Sequence, residues 1–170
     1  VLDVGCDDGQ LLRHLSKHKN VVGRGIELSQ TGVNACVARG LSVVQGDADT
    51  DLGNYPPQAF DYVVLSQTLQ ATHNPLNVVS ELVRIGKKAI ISFPNFGFWQ
   101  VRFSLLTNGR MPKTIALKDD WFKTPNIHLC TILDFIDLCN QLDIKIEKQI
   151  PLNSKGETLP LSNPNWLLID

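Results

Sequence analysis

The sequence lacks a long apolar run, a leader-like start, paired-cysteine spacing and a basic cluster, and each absence narrows what the chain does. No apolar stretch approaches the roughly 18 residues that a membrane-spanning helix needs. No charged-then-apolar leader precedes the first apolar segment, so the expectation is a soluble, cytoplasmic protein without a membrane partner. The four cysteines, Cys6, Cys36, Cys130 and Cys139, show neither CxxC spacing nor a nearby histidine cluster. Neither a disulfide framework nor a metal site is expected; reduced, mostly buried thiols are. Charge of one sign is not in excess: the formal net charge is -1. A nucleic-acid partner would therefore need a local basic patch. Lys17-His18-Lys19 and Lys87-Lys88 are too short and isolated to form one and read as solvated surface, so none is expected.

What is present suits one packed core. The chain has 170 residues, 43% of them hydrophobic, and is read as a single domain over 1–170. Residue 1 already lies inside an apolar strand pattern, Val1-Leu2-Asp3-Val4, with no turn or cap before it. A preceding N-terminal segment is expected to be missing from this numbering.

Apolar periodicity then switches repeatedly between strand-like and helix-like, the pattern of a parallel sheet with helices on both faces. Strands are expected at 1–4, 21–27, 41–44, 60–65 and 89–93, with helices at 8–19, from the Ser29 cap to 39, and at 76–85 after Asn74-Pro75. The polar stretch 46–58 holds Pro56 and Pro57 and is too broken for a regular helix. Residues 94–130 interrupt the alternation with clustered aromatics and read as an insertion, a lid with a short helix at 97–107 closed by Asn108-Gly109. A helix at 131–142 and strands at 144–150 and 166–169 resume the pattern.

In doubly wound sheets the ligand lies beyond the carboxyl ends of the strands, so the loops after the first four strands carry the argument. After the first comes Asp3-Val4-Gly5-Cys6-Asp7-Asp8-Gly9, a glycine-bounded turn leading into a helix N-terminus with bare N–H groups. After the second comes Glu27, followed by Leu28, where a carboxylate can accept both ribose hydroxyls. After the third comes Gly46-Asp47-Ala48-Asp49, where Asp47 can accept from an adenine amino group. Each of these alone is also readable as loop structure. Dinucleotide dehydrogenases use G-x-G-x-x-G, whereas here the glycines are Gly5 and Gly9 with Gln at position 10, so the pyrophosphate reading fails.

In order and spacing, residues 1–93 resemble the class I S-adenosylmethionine (SAM) methyltransferases. Leu-Ser-Gln-Thr-Leu-Gln-Ala (65–71), Ser-Phe-Pro-Asn-Phe-Gly (92–97), Asn-Gly-Arg-Met-Pro (108–112) and Thr-Pro-Asn-Ile-His-Leu-Cys-Thr (124–131) extend the match. Together they resemble the methionine biosynthesis protein MetW family over nearly the whole chain. The resemblance implies a Rossmann-like α/β fold with a mostly parallel seven-stranded sheet, order 3-2-1-4-5-7-6, helices on both faces and an insert after strand five. It also implies SAM or S-adenosylhomocysteine (SAH) as ligand, a place in methionine biosynthesis, and association with the homoserine O-acyltransferase MetX. The cradle it implies is Asp3, Gly5, Cys6, Asp7, Gly9, Glu27, Leu28, Asp47, Ala48, Ser66 and Gln67. One position departs from the family motif Gly-Cys-Gly-Asp-Gly: its middle glycine is Asp7, which predicts weaker SAM binding than a glycine version would show.

No residue declares itself catalytic. His73, after strand four, is the best base candidate but reads more readily as a loop histidine; His128 reads as structural, His14 and His18 as surface. Ser66-Gln67-Thr68-Leu69 is not the Asp/Asn-Pro-Pro-Tyr/Phe string of methyltransferases acting on nucleobases or amides. Three readings stay open: a SAM-binding partner protein, an active small-molecule methyltransferase, and a scaffold that has lost its nucleoside. An exposed aromatic insert favours the first and a closed pocket favours the second.

Overall fold

Residues 1–114, 119–153 and 157–158 are described by the structure, a computed structural model of the chain. Contacts divide the chain into two compact units, Val1–Phe93 and Pro94–Asp170. In the first, strands and helices alternate: β1 (Leu2–Val4), α1 (Gln10–Lys19), β2 (Arg24–Glu27), α2 (Gln30–Ala38), β3 (Val43–Gln45), β4 (Phe60–Ser66), α3 (Pro75–Ile85) and β5 (Gly86–Ser92). Single 3-10 turns lie at Leu52–Asn54 and Leu69–Ala71.

The five strands form one parallel sheet in the order β3-β2-β1-β4-β5. Strand order reverses at β1, and parallel crossovers are right-handed, so α2 and α3 belong to opposite faces. Consistent with this, α2 packs on β2 and β3, and α3 packs on β4 and β5. β1 runs through the middle and is buried at every residue, with Leu2 and Val4 joining Ile26, Val63 and Leu65 in the core. Val78, Val79, Leu82 and Ile85, spaced at i, i+1, i+4 and i+7, give α3 the apolar stripe that covers this sheet. Arg84 ties the helix to the long β3–β4 connection, donating to the carbonyls of Tyr55 (2.8 Å) and Leu52 (3.2 Å) while pairing with Glu81.

Helix starts fall where their caps predict. The Ser29 hydroxyl accepts from the Gly32 amide at the head of α2, and Asn74 accepts from the Asn77 amide with Pro75 in the first turn of α3. α1 begins at Gln10 rather than at residue 8, because Asp7 and Gly9 both hold left-handed backbone that no helix accepts. β3 lies one to two residues later than expected, and β5 begins directly at Gly86 with no intervening loop.

In the second unit, α4 (Trp99–Asn108) ends on Gly109 at φ 60°, and α5 (Ile132–Gln141) starts on a capping box between Thr131 and Asp134. The seven-stranded expectation is corrected: the sheet has five strands among the described residues. Residues 144–150 form no ladder, although Ile144, Ile146 and the intervening Lys145 alternate as a strand would. Alternation specifies a face and not a partner; an isolated antiparallel bridge between Leu152 and Thr158 is the pairing seen nearby. The last expected strand, 166–169, lies outside the described residues. No described helix is long and apolar enough to cross a membrane.

Candidate functional site

All five strands are parallel, so the turns after β1, β2, β3 and β4 meet at one edge of the sheet. The first turn is the most contorted part of the unit. Gly5, Asp7 and Gly9 hold φ of 71°, 47° and 76°. Glycine takes this left-handed region freely, whereas a side chain costs about 1–2 kcal/mol there. Space requires glycine at position 5 as well: a Cβ would stand 2.6 Å from Thr68 Oγ1 and 2.9 Å from Thr68 Cγ2. The Gly5 and Cys6 amides both donate to the Ile26 carbonyl, at 2.9 and 3.3 Å, which seats the turn on the end of β2. Gly9 caps α1 without a side-chain hydrogen bond, and the first helical turn carries no acidic residue. Among the described residues its N–H groups past Gln10 therefore have no capping side-chain oxygen, which suits a ligand carboxylate.

Glu27 joins the first two turns. Its Oε2 accepts from the Asp7 amide at 2.8 Å and its Oε1 from the Ser29 amide at 2.9 Å. Gly32 lies beneath it, where a Cβ would come within 2.8 Å of Glu27 Cγ and 2.9 Å of the Asp7 carbonyl. The carboxylate is thus fixed in place, with one lone pair on each oxygen left for a pair of ribose hydroxyls. Leu28 beside it is 64% exposed, a bare apolar side chain on a polar rim that could pack against the flat face of a base.

The β3–β4 connection folds onto its own carboxylates. Asp47 Oδ1 accepts from the Asp49 amide at 2.9 Å, and Asp51 Oδ2 from the Asp47 amide at 2.8 Å. Asp47 therefore keeps one oxygen unengaged among the described residues, beside the half-buried Ala48. Asp49 reaches across to the next loop: its two oxygens accept from the amides of His73 and Asn74, each at 2.8 Å. After β4, Gln67 also turns left-handed, at φ 58°, and its amide donates to the Ser92 carbonyl. Ser66 and Ser92 hydroxyls lie 3.2 Å apart, and Thr68 Oγ1 donates to the Ser66 carbonyl at 3.0 Å.

The electrostatics are acidic. Asp3 is 2% exposed, and burial, with the nearby Glu27 charge adding to it, raises its pKa to about 6. Asp8 pairs with Arg39 at 2.8 Å and is held below the usual carboxylate range by that contact. The Arg39 guanidinium also donates to the Asp8 carbonyl. Cys36 Sγ donates to the Asp7 carbonyl, and burial pushes the thiols of both Cys6 and Cys36 up, so neither reads as a nucleophile.

The structure thus brings together Asp3 in β1, Gly5, Cys6, Asp7 and Gly9 on the turn that follows it, and Glu27 and Leu28 at the end of β2, with Asp47 and Ala48 after β3 and Ser66 and Gln67 at the end of β4. His73 is placed at the same edge through its backbone, by Asp49. Sequence reasoning missed the supports given by Gly32 and Asp49, and the packing of Thr68, expected with Gln67 to face the methyl-donor site, against Gly5. A glycine inside a helical run is a legible sign of close packing at Gly32, whereas nothing in sequence marks Thr68 as the wall that Gly5 needs. The arrangement fits an adenosyl ligand with an amino-acid tail: uncapped helix amides for a carboxylate, buried Asp3 for a cation, a fixed Glu27 for a diol and Leu28 for a base.

Over 159 residues the chain is 38% identical to the bifunctional methionine biosynthesis protein MetXA/MetW of Rhodopirellula baltica, covering 88% of this chain and 26% of that protein. The chain thus spans about a quarter of that curated relative. An Archaeoglobus fulgidus SAM-dependent methyltransferase superposes with a TM-score of 0.64 at 17% identity, over 89% of this chain and 63% of that one. The plantazolicin methyltransferase BamL, solved with a triazolic desmethylPZN analog and SAH, gives a TM-score of 0.62 at 18% identity, over 83% of this chain and 52% of its own. These two likenesses establish the Rossmann-like methyltransferase fold. The sequence profile of the family described as methionine biosynthesis protein MetW matches residues 1–169, and the chain belongs to that family.

Proposed function

We propose that this protein binds SAM or SAH in the cradle above and acts as a partner protein of methionine biosynthesis, supporting the homoserine O-acyltransferase MetX. The observation that carries the partner role is the exposure of large apolar side chains in the second unit. Trp99, Phe103 and Leu106, at i, i+4 and i+7 on one face of α4, are 39%, 60% and 84% exposed. Trp121 and Phe122 follow at 72% and 63%. A lid that closes over substrate would bury its aromatics; a docking surface exposes them. The Rhodopirellula relative, whose name joins MetXA and MetW in one polypeptide, supports acyltransferase as the occupant.

In this reading Asp3, Gly5, Cys6, Asp7 and Gly9 hold the methionyl portion, Glu27 the ribose, Leu28, Asp47 and Ala48 the adenine, and Ser66 and Gln67 the floor beyond β4. Bound SAM supplies an activated methyl group; left untransferred, it reports pathway output. A second reading, an active small-molecule methyltransferase, is favoured by one observation: Asp49 fixes the backbone of His73 at the rim of the same edge, where a base would serve.

The test is co-purification with homoserine O-acyltransferase, with acyltransferase rate measured with and without SAM. A stable complex whose rate depends on this protein is expected. Absence of a complex, together with consumption of SAM when a metabolite extract is added, would reverse the order of the two readings.

A further inference from the structure

We propose that Asp7 makes the site discriminate by ligand charge, favouring the sulfonium of SAM over the neutral thioether of SAH. The inference rests on the S-adenosyl reading above and concerns which form of that ligand is retained.

The Asp7 backbone is pinned on every side. Its amide donates to Glu27 Oε2 at 2.8 Å, its carbonyl accepts from Cys36 Sγ at 3.3 Å, and Gly32 packs against that same carbonyl. Its side chain is exposed and makes no hydrogen bond or ion pair among the described residues. The adjoining Asp8 is different, because Arg39 neutralises it. Arg39 is thereby engaged, and the carboxylates left on these turns are Asp3, Asp7 and Glu27. Of these, Glu27 is fixed by two backbone amides and aimed at the ribose, and Asp3 is buried, so Asp7 is the exposed carboxylate with no protein partner among the described residues.

Conformation does not account for an aspartate here. At φ 47° asparagine serves as well and glycine better, since it carries no β-carbon. What aspartate adds over both is a negative charge beside the ligand turn. SAM and SAH differ by one methyl group and one unit of positive charge, so the steric burden of the Asp7 side chain falls on both and the charge acts on one. Across several ångströms of half-exposed site, one carboxylate acting on one unit of ligand charge changes affinity by about fivefold to tenfold, and salt weakens the effect. The discrimination matters for a protein that reports SAM supply, because a site blind to charge would also respond to the demethylated product.

The test is titration calorimetry with SAM and with SAH on the wild type, Asp7→Asn and Asp7→Gly, at low and high salt. The ratio of SAH to SAM dissociation constants is expected to fall about fivefold to tenfold in both variants, and to fall more steeply with added salt in the wild type than in either variant. Asp7→Asn removes charge at constant shape, and the wild-type salt series needs no variant to fold. If both ligands bind and the ratio is the same in all three proteins, charge discrimination by Asp7 is overturned while the ligand reading stands. If neither ligand binds any of the three, both are overturned.

Discussion

Gly5 and Thr68 show how a single position couples two loops that lie far apart in sequence. Gly5→Ala places a methyl group against Thr68 in a left-handed backbone, and a loss of about 2–3 kcal/mol in urea unfolding is expected. Adding Thr68→Ala should recover the steric share and leave about 1 kcal/mol from the backbone, a non-additivity that a double-mutant cycle reads directly. Asp3 gives a pH signature. Its folded pKa, about 6, lies above the unfolded value, so its contribution to stability is full below pH 4 and is lost as pH rises through 6. Without ligand, the wild type should lose about 2 kcal/mol relative to Asp3→Asn between pH 4 and pH 7, and a gap that does not change with pH would contradict the assignment. Asp3, Gly5, Gly9 and Glu27 were picked out by residue type and spacing, and the structure places them at one edge of the sheet. The supports that Thr68 and Asp49 give were not legible, because they exist only once β4 is laid beside β1 and the loops meet.

Secondary-structure elements were legible in proportion to the strength of their local signals. Ser29, Asn74 and Thr131 each sit at a helix start with the expected side-chain bond, since capping is settled within four residues. Thr131→Ala should lower the stability of the second unit by about 1 kcal/mol, read as protection of α5 amides in hydrogen exchange. Asp49→Ala should release the His73 and Asn74 amides and speed their exchange while the core of α3 stays protected. Residues 144–150 mark the limit of local reading. Their alternation is as regular as that of a strand, yet pairing depends on an edge elsewhere in the chain that no window of seven residues contains.

For the whole molecule, the account joins a candidate nucleoside site in Val1–Phe93 to an exposed apolar helix face in the unit that begins at Pro94. The order of the first five strands followed from the family resemblance, while the two further strands it implied are absent from the sheet among the described residues; exposure of α4 was not legible, because an apolar face at helical spacing reads the same whether it is covered or bare. Phe103→Asp with Leu106→Asp alters two exposed side chains, at 60% and 84%, and leaves the buried Val101 untouched. The most direct measurement is size-exclusion co-elution of this protein with homoserine O-acyltransferase, for the wild type and for that double variant, with SAM binding measured on each. The account predicts that the wild type co-elutes and that the variant does not, while both bind SAM equally. A wild type that elutes alone, or a variant that co-elutes as well as the wild type, would contradict it.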